Sequence, residues 1–275
     1  MEVFLAYEFC CPVSELSIPV PWGEIRGKVW GPDHGCPVLC LHGWADNCGA
    51  FNTLIPLLPK ECRYVAVDLA GHGRSSHRPP GDFYHFPLYV MDVLRVTEAL
   101  QWSKFSIIGH SMGDTVHPIS SFELLPSSFL QKEMSGVLRQ GLDEMLQYEK
   151  TKEKKARVYT YEKAFKRLKA VNTNLSEESV HALLERGLVQ VEGGVVFSRD
   201  FRINLKNIAR ITLEQSMDMQ SRIKASVLHT VVTVPGDHHI HLNNPAVVAP
   251  IVSEFLRTKV LLQPNRLIDG QTSKL

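Results

Sequence analysis

The chain has 275 residues, of which 44% are hydrophobic and 21% charged. That apolar content suffices for one large α/β domain, or one domain with an insert, and excludes a disordered or fibrous chain. With 30 basic and 29 acidic residues the net charge is +1, so no nucleic-acid partner is expected and any electrostatic partner needs a local patch.

No apolar run is long enough to span a bilayer, so no transmembrane segment is expected. Met1 to Glu8 contains acids and no basic start, unlike a secretory signal. The cysteines, Cys10, Cys11, Cys36, Cys40, Cys48 and Cys62, all fall in the first quarter of the chain, which reads as reduced thiols rather than a disulfide scaffold. The tripeptide Ser273-Lys274-Leu275 ends a polar tail and reads as an address for the peroxisomal import receptor. The peroxisome is therefore the expected location, with the cytosol as the alternative.

In chain order, residues 15–30 predict a hairpin. Leu16, Ile18 and Val20 alternate, and Pro21-Trp22-Gly23 turns the chain back. Pro37 to Leu41 is a short continuous apolar run, as in a strand buried on both faces. Phe51, Leu54, Ile55, Leu57 and Leu58 predict one side of a helix. A second buried strand covers 64–68, a helix covers 86–100, and a third strand, Phe105 to Ile108, runs into Gly109-His110-Ser111-Met112-Gly113. This alternation argues for a mostly parallel sheet with helices on both faces.

From about Phe129 to Ser221 the pattern becomes charged and helical, as in a lid insert. A hairpin is expected at Gly193-Gly194, and a helix starting at Ser176 and stopping at Gly187. Nine Lys/Arg and three Glu lie between Glu149 and Lys169, a net of +6. This basic run reads as a solvated helix with Tyr161 and Phe165 turned inward; the alternative is a face that meets an acidic lipid surface or a carboxylate-bearing substrate such as an acyl-CoA. Sheet character returns over Ser226 to Val234, and a last helix runs from Pro245 to about Thr258 with Val248, Ile251, Val252 and Phe255 on its core side. The expected units are residues 15–128 and 223–260 as the two parts of the core, 129–222 as the helical lid, and 261–275 as an exposed tail.

Gly109-x-Ser111-x-Gly113 directly after an apolar strand is the strongest chemical signal. A sharp strand-to-helix turn lifts a serine hydroxyl clear of the sheet. A serine needs a base to become a nucleophile, and His238 is the candidate, lying between a strand and the last helix. His239 and His241 are expected to be packing or solvated residues, and a metal site from these three histidines finds no carboxylate at ligand spacing. The developing oxyanion needs backbone donors, for which the Met112 N–H and the Trp44 N–H are the candidates.

Leu41-His42-Gly43-Trp44, Asp68-Leu69-Ala70-Gly71-His72-Gly73-Arg74-Ser75, Gly109 to Gly113 and Pro235-Gly236-Asp237-His238 together resemble the α/β-hydrolase superfamily, and most resemble the vertebrate serine hydrolase-like proteins. The resemblance covers about residues 15–113, 129–222 and 223–257. It implies a serine hydrolase cleaving an ester, thioester or amide of a small-molecule acyl substrate, with no metal or organic cofactor. Ser111 would attack, His238 would take the proton, and the Trp44 and Met112 amides would hold the oxyanion. It also implies that the peroxisome is the family's compartment.

Two departures from the family pattern stand out. After Gly113 the family has a long helix and a buried strand, whereas here Asp114 to Ser121 contains Pro118 and leads into the lid. At Val227 to Val234 two family strands look fused, without the intervening loop that carries the triad acid. Asp114, Asp143, Asp200, Asp218, Asp68 and Asp237 all lie where that acid does not. The sheet is therefore expected to be incomplete and the chemistry impaired. The competing expectation is a catalytically inactive variant that acts as a binding module or has no function.

Overall fold

The computed structural model describes residues 13–113, 134–151, 157–208 and 233–262. Residues 227–232 of the fused-strand segment, the stretch after Gly113 and the C-terminal tripeptide lie outside these residues. The chain opens with the expected hairpin, β1 (Ser14–Val20) and β2 (Gly23–Trp30), paired antiparallel through the turn at Pro21-Trp22. β3 (Cys36–Leu41) and β4 (Cys62–Val67) follow, then helix α1 (Phe86–Ala99) and β5 (Ser106–Gly109). The strand order is β1-β2-β4-β3-β5; β2 meets β4 antiparallel, and β3 pairs parallel with both β4 and β5.

Strand alternation sends successive side chains to opposite faces. Leu39, Leu41, Val65 and Val67 face one way and pack with Tyr89, Val93 and Val96 of α1. Val38, Cys40, Tyr64 and Ala66 face the other way. There they meet Phe51, Leu54 and the C-terminal helix α6 (Pro245–Phe255), whose Val248, Val252 and Phe255 pack against the same cluster. A sheet covered on both faces explains why β3 and β4 read as unbroken apolar runs. Each such side chain contributes about 1.5–3 kcal/mol by leaving water.

β5 differs from its neighbours. Its four residues are all only half-buried, and among the described residues it pairs with β3 alone. Among the described residues no strand covers the outer edge of β5.

The helix expected around Phe51 to Leu58 is instead two short 3-10 turns, Cys48–Phe51 and Ile55–Leu57. Pro56 and Pro59 cannot donate the amide bonds a longer helix needs, and Leu57 points to solvent. Among the described residues Cys36, Cys40, Cys48 and Cys62 form no disulfide.

The inserted segment contains α2 (Met134–Lys150), α3 (Tyr161–Val171) and α4 (Glu177–Gly187), then the hairpin β6 (Leu188–Val191) and β7 (Gly194–Phe197). Ser176 caps α4 by accepting from the Ser179 amide, and Gly187 ends it, as expected. Phe165 turns inward, but Tyr161 does not: its ring is exposed and stacks on His181. A short helix, α5 (Ile240–Asn243), precedes α6. Among the described residues no helix is long and apolar enough to cross a membrane.

One buried ion pair ties the insert to the sheet. Asp68, at the end of β4, accepts from Arg186 Nε of α4 at 2.9 Å, and neither side chain is exposed to water. Arg186 also reaches Glu15 of β1 at 2.7 Å. Removing one member of a buried pair strands the other charge. Arg186→Ala is therefore expected to lower unfolding stability by about 3–5 kcal/mol, read as a large drop in the melting midpoint. A melt indistinguishable from wild type would show that the pair is not holding the insert.

Candidate active site

The site lies at the C-terminal ends of β3, β4 and β5. β5 stops at Gly109, and the His110 amide still donates to Leu41 O at 3.0 Å, extending the ladder by one bond. Ser111 then takes φ 55, a left-handed value that strains a residue with a side chain by about 1–2 kcal/mol. The turn closes through Gly113 N–H to His110 O at 2.9 Å. A Cβ at Gly113 would sit 2.1 Å from Leu41 O, so only glycine fits. This is the sharp strand-to-helix geometry that the G-x-S-x-G pattern implies, and it leaves Ser111 exposed. The Met112 side chain packs toward the α1 face of the sheet.

The loop after β3 is pinned from below. The buried His42 ring accepts the Leu69 amide at Nε2 (3.0 Å), so its proton sits on Nδ1 and goes to Gly43 O at 2.7 Å. Burial holds its pKa below the ordinary value, which keeps the ring neutral. His72, likewise buried and neutral, accepts the Ala45 amide at 3.3 Å. Gly43 has to be glycine, because a Cβ would approach His110 Nδ1 to 2.8 Å. Trp44 is thus held in a loop clamped by two histidines, beside the serine turn.

A cleft of about 510 Å³ brings Trp44, Ser111 and His238 together with Asp46, His110, His239 and part of the insert. His238 is exposed, and its carbonyl accepts from His110 Nε2 at 2.8 Å. Among the described residues no carboxylate binds the His238 ring. Asp237 turns elsewhere, accepting from the His239 amide at 2.7 Å and from Asn243 at 2.8 Å. Asp68 and Asp200 are engaged with Arg186 and Arg202, and Asp143 with Arg139.

The expectation for His239 needs correction. Its Nε2 lies 3.2 Å from Asp46 Oδ2, an ion pair in which neither partner is free in solvent. His110 Nδ1 lies 3.7 Å from the same oxygen. His241 is buried among the rings of His110, His239 and Phe51. Asp46 was missed because nothing local marks it; its partner stands 193 residues away. His110 sits inside the serine motif and carried no signal of its own.

Charge follows from these contacts. The Asp46 hydrogen bond raises the pKa of His239 above 6.5. Burial works to raise Asp46, but the His239 bond and the nearby histidine charges outweigh it and hold the carboxyl below its usual value. Burial, with His110 beside it, pushes His241 down to about 3. His239 therefore holds a proton more readily than His110 or His241. The pair stabilises the fold between these two limits. It loses its carboxylate as pH falls through the lowered Asp46 pKa, and its cation as pH rises through the raised His239 pKa. Asp46→Asn should lower the His239 pKa, followed by NMR titration of the ring protons. An unchanged His239 titration would show that the pair does not form.

The alpha/beta hydrolase fold family pattern matches residues 37–113, the span from β3 to the serine turn. The zebrafish serine hydrolase-like protein is 48% identical over 306 residues, covering 95% of this chain and 94% of its own. Human serine hydrolase-like protein 2 is 35% identical, covering 91% of this chain and 96% of its own. A crystal structure of a hypothetical protein from Pseudomonas aeruginosa PAO1 superposes with a TM-score of 0.78 at 30% identity, over 88% of this chain and 99% of that one. The fold is that of an α/β-hydrolase. Within that superfamily the chain belongs to the serine hydrolase-like family. The zebrafish alignment is longer than the part of this chain that it covers. It runs over 306 residues, while 95% of 275 is about 261, so about 45 aligned positions have no residue here.

Proposed function

We propose that the protein is a serine hydrolase of ester, thioester or amide bonds. The observation that carries this reading is Ser111 itself, exposed at a positive φ on the strand-to-helix turn and sharing one cleft with Trp44 and His238. In the proposed reaction Ser111 Oγ attacks the acyl carbonyl and its proton passes to His238, which returns it to the leaving group. Water then releases the acyl group by the same route in reverse. The amides of Trp44 and Met112 take the oxyanion.

Two readings of the base can be separated. His238 occupies the position the family resemblance assigns, but His239 is the histidine that has a carboxylate. A triad histidine without its acid loses on the order of 10⁴ in rate. A fluorophosphonate probe should label Ser111, and Ser111→Ala should abolish labelling. His238→Ala should reduce labelling severely, while His239→Ala and His241→Ala should not. The opposite ranking of His238 and His239 would transfer the base role. Equal labelling of wild type and Ser111→Ala would remove the hydrolase reading.

The second reading is an inactive form, favoured by the missing aligned positions and by the half-buried edge at β5. Robust esterase turnover by a cooperatively melting protein would sink it.

For location we propose peroxisomal import through Ser273, Lys274 and Leu275. Deleting Leu275 should move a tagged protein from peroxisomes to the cytosol, and an unchanged distribution would show that the tripeptide is not read.

A further inference from the structure

The cleft that holds Ser111 is also lined by a guanidinium that makes no salt bridge among the described residues. Each buried arginine among the described residues has an acidic partner: Arg78 has Asp92, Arg186 has Asp68 and Arg202 has Asp200. Arg199 is half-buried and makes no ion pair among the described residues, although the Asp46 charge acts on it. Its Nη1 donates to Ala45 O at 3.1 Å and its Nη2 to Asn204 Oδ1 at 3.3 Å, both neutral acceptors. A guanidinium has five N–H donors in a planar fork, so three remain after these bonds.

Its surroundings reinforce the point. Of the carboxylates, only Asp46 lines the described cleft, and it is committed to His239; Arg167 of α3 lines the same cleft. With its histidines neutral the lining carries two arginines against one carboxylate, a formal charge of +1. Ala45, which Arg199 holds, directly follows Trp44. The guanidinium is thus anchored beside the loop proposed to bind the oxyanion, in the cleft that Ser111 also lines. Partly desolvated cations of this kind are stabilised by a bidentate anion.

Resting on the hydrolase reading above, we propose that the cleft accepts acyl substrates bearing a carboxylate, gripped by Arg199 with Arg167 as an outer attractor. Arg199 is then a specificity residue as well as a brace for the loop. A brace alone would affect all esters alike, whereas a carboxylate partner affects charged ones selectively.

The test compares the 4-methylumbelliferyl half-ester of adipic acid with the hexanoate ester of the same fluorophore. Wild type should prefer the half-ester in kcat/KM by about tenfold or more, the size of one charge-assisted contact. The preference should reside in KM and shrink with added salt. Arg199→Gln should remove most of it, and Arg199→Lys should keep part. A wild-type ratio at or below one, or an unchanged ratio in Arg199→Gln, overturns the proposal. Free adipate supplies a readout that needs no turnover. It should raise the melting midpoint of wild type and of Ser111→Ala, and raise that of Arg199→Gln far less. If neither ester is hydrolysed and Ser111 is not labelled, the hydrolase reading fails, and the adipate melts alone decide whether the anion site stands.

Discussion

The rest of the structure depends on the carboxylate of Asp68. It has no exposure to water, and it meets three donors: the Cys48 amide at 2.8 Å, the Arg74 amide at 2.9 Å and Arg186 Nε at 2.9 Å. These partners come from the loop after β3, the loop after β4 and helix α4 of the insert. A buried charge is tolerable only when its oxygens are fully engaged. Asp68 therefore fixes the mutual position of three segments far apart in sequence. Gly73 follows from the same constraint, since a Cβ there would lie 2.3 Å from the carboxylate.

Around that anchor, smaller contacts align the cleft. Asn47 caps the 3-10 turn and donates to Leu183 O at 2.8 Å, a second link from the sheet to α4. Thr53 donates to Leu242 O at 2.9 Å and holds α5, which carries His241. The serine turn, the clamped Trp44 loop and the histidine cluster are thus brought together by polar contacts on top of an apolar sheet. This arrangement explains how a strained Ser111 persists: the surrounding structure over-determines it.

Much of this was legible in the sequence for a simple reason. β3, β4 and β5 are short apolar runs followed at once by turn motifs, and burial on both faces imposes that pattern locally. The Ser176 cap and the glycine hairpin are likewise local chemistry. The spacing of Phe51, Leu54 and Leu58 misled because periodicity registers which side chains are buried and not whether Pro56 lets a helix continue. The Asp46–His239 pair and the Arg199 contacts with Ala45 and Asn204 left no trace because they are made by tertiary proximity. The half of the site built by strand ends could be read in advance, and beyond it only His238, from its place before the last helix.

The fixed position of α4 has a consequence for access. Its buried arginine, the Asn47 bond and the core cluster of Val180, Leu183 and Leu184 tie that wall of the cleft to the sheet. The turn at Phe201–Asn204 is moored as firmly, through Asp200 to Tyr84 and Arg202. α3 packs on α4 and β7 rather than on the sheet. A widening of the mouth that spares the buried ion pair therefore runs through α3, so the less moored of the two helices lining the cleft forms the threshold, and Arg167 travels with it.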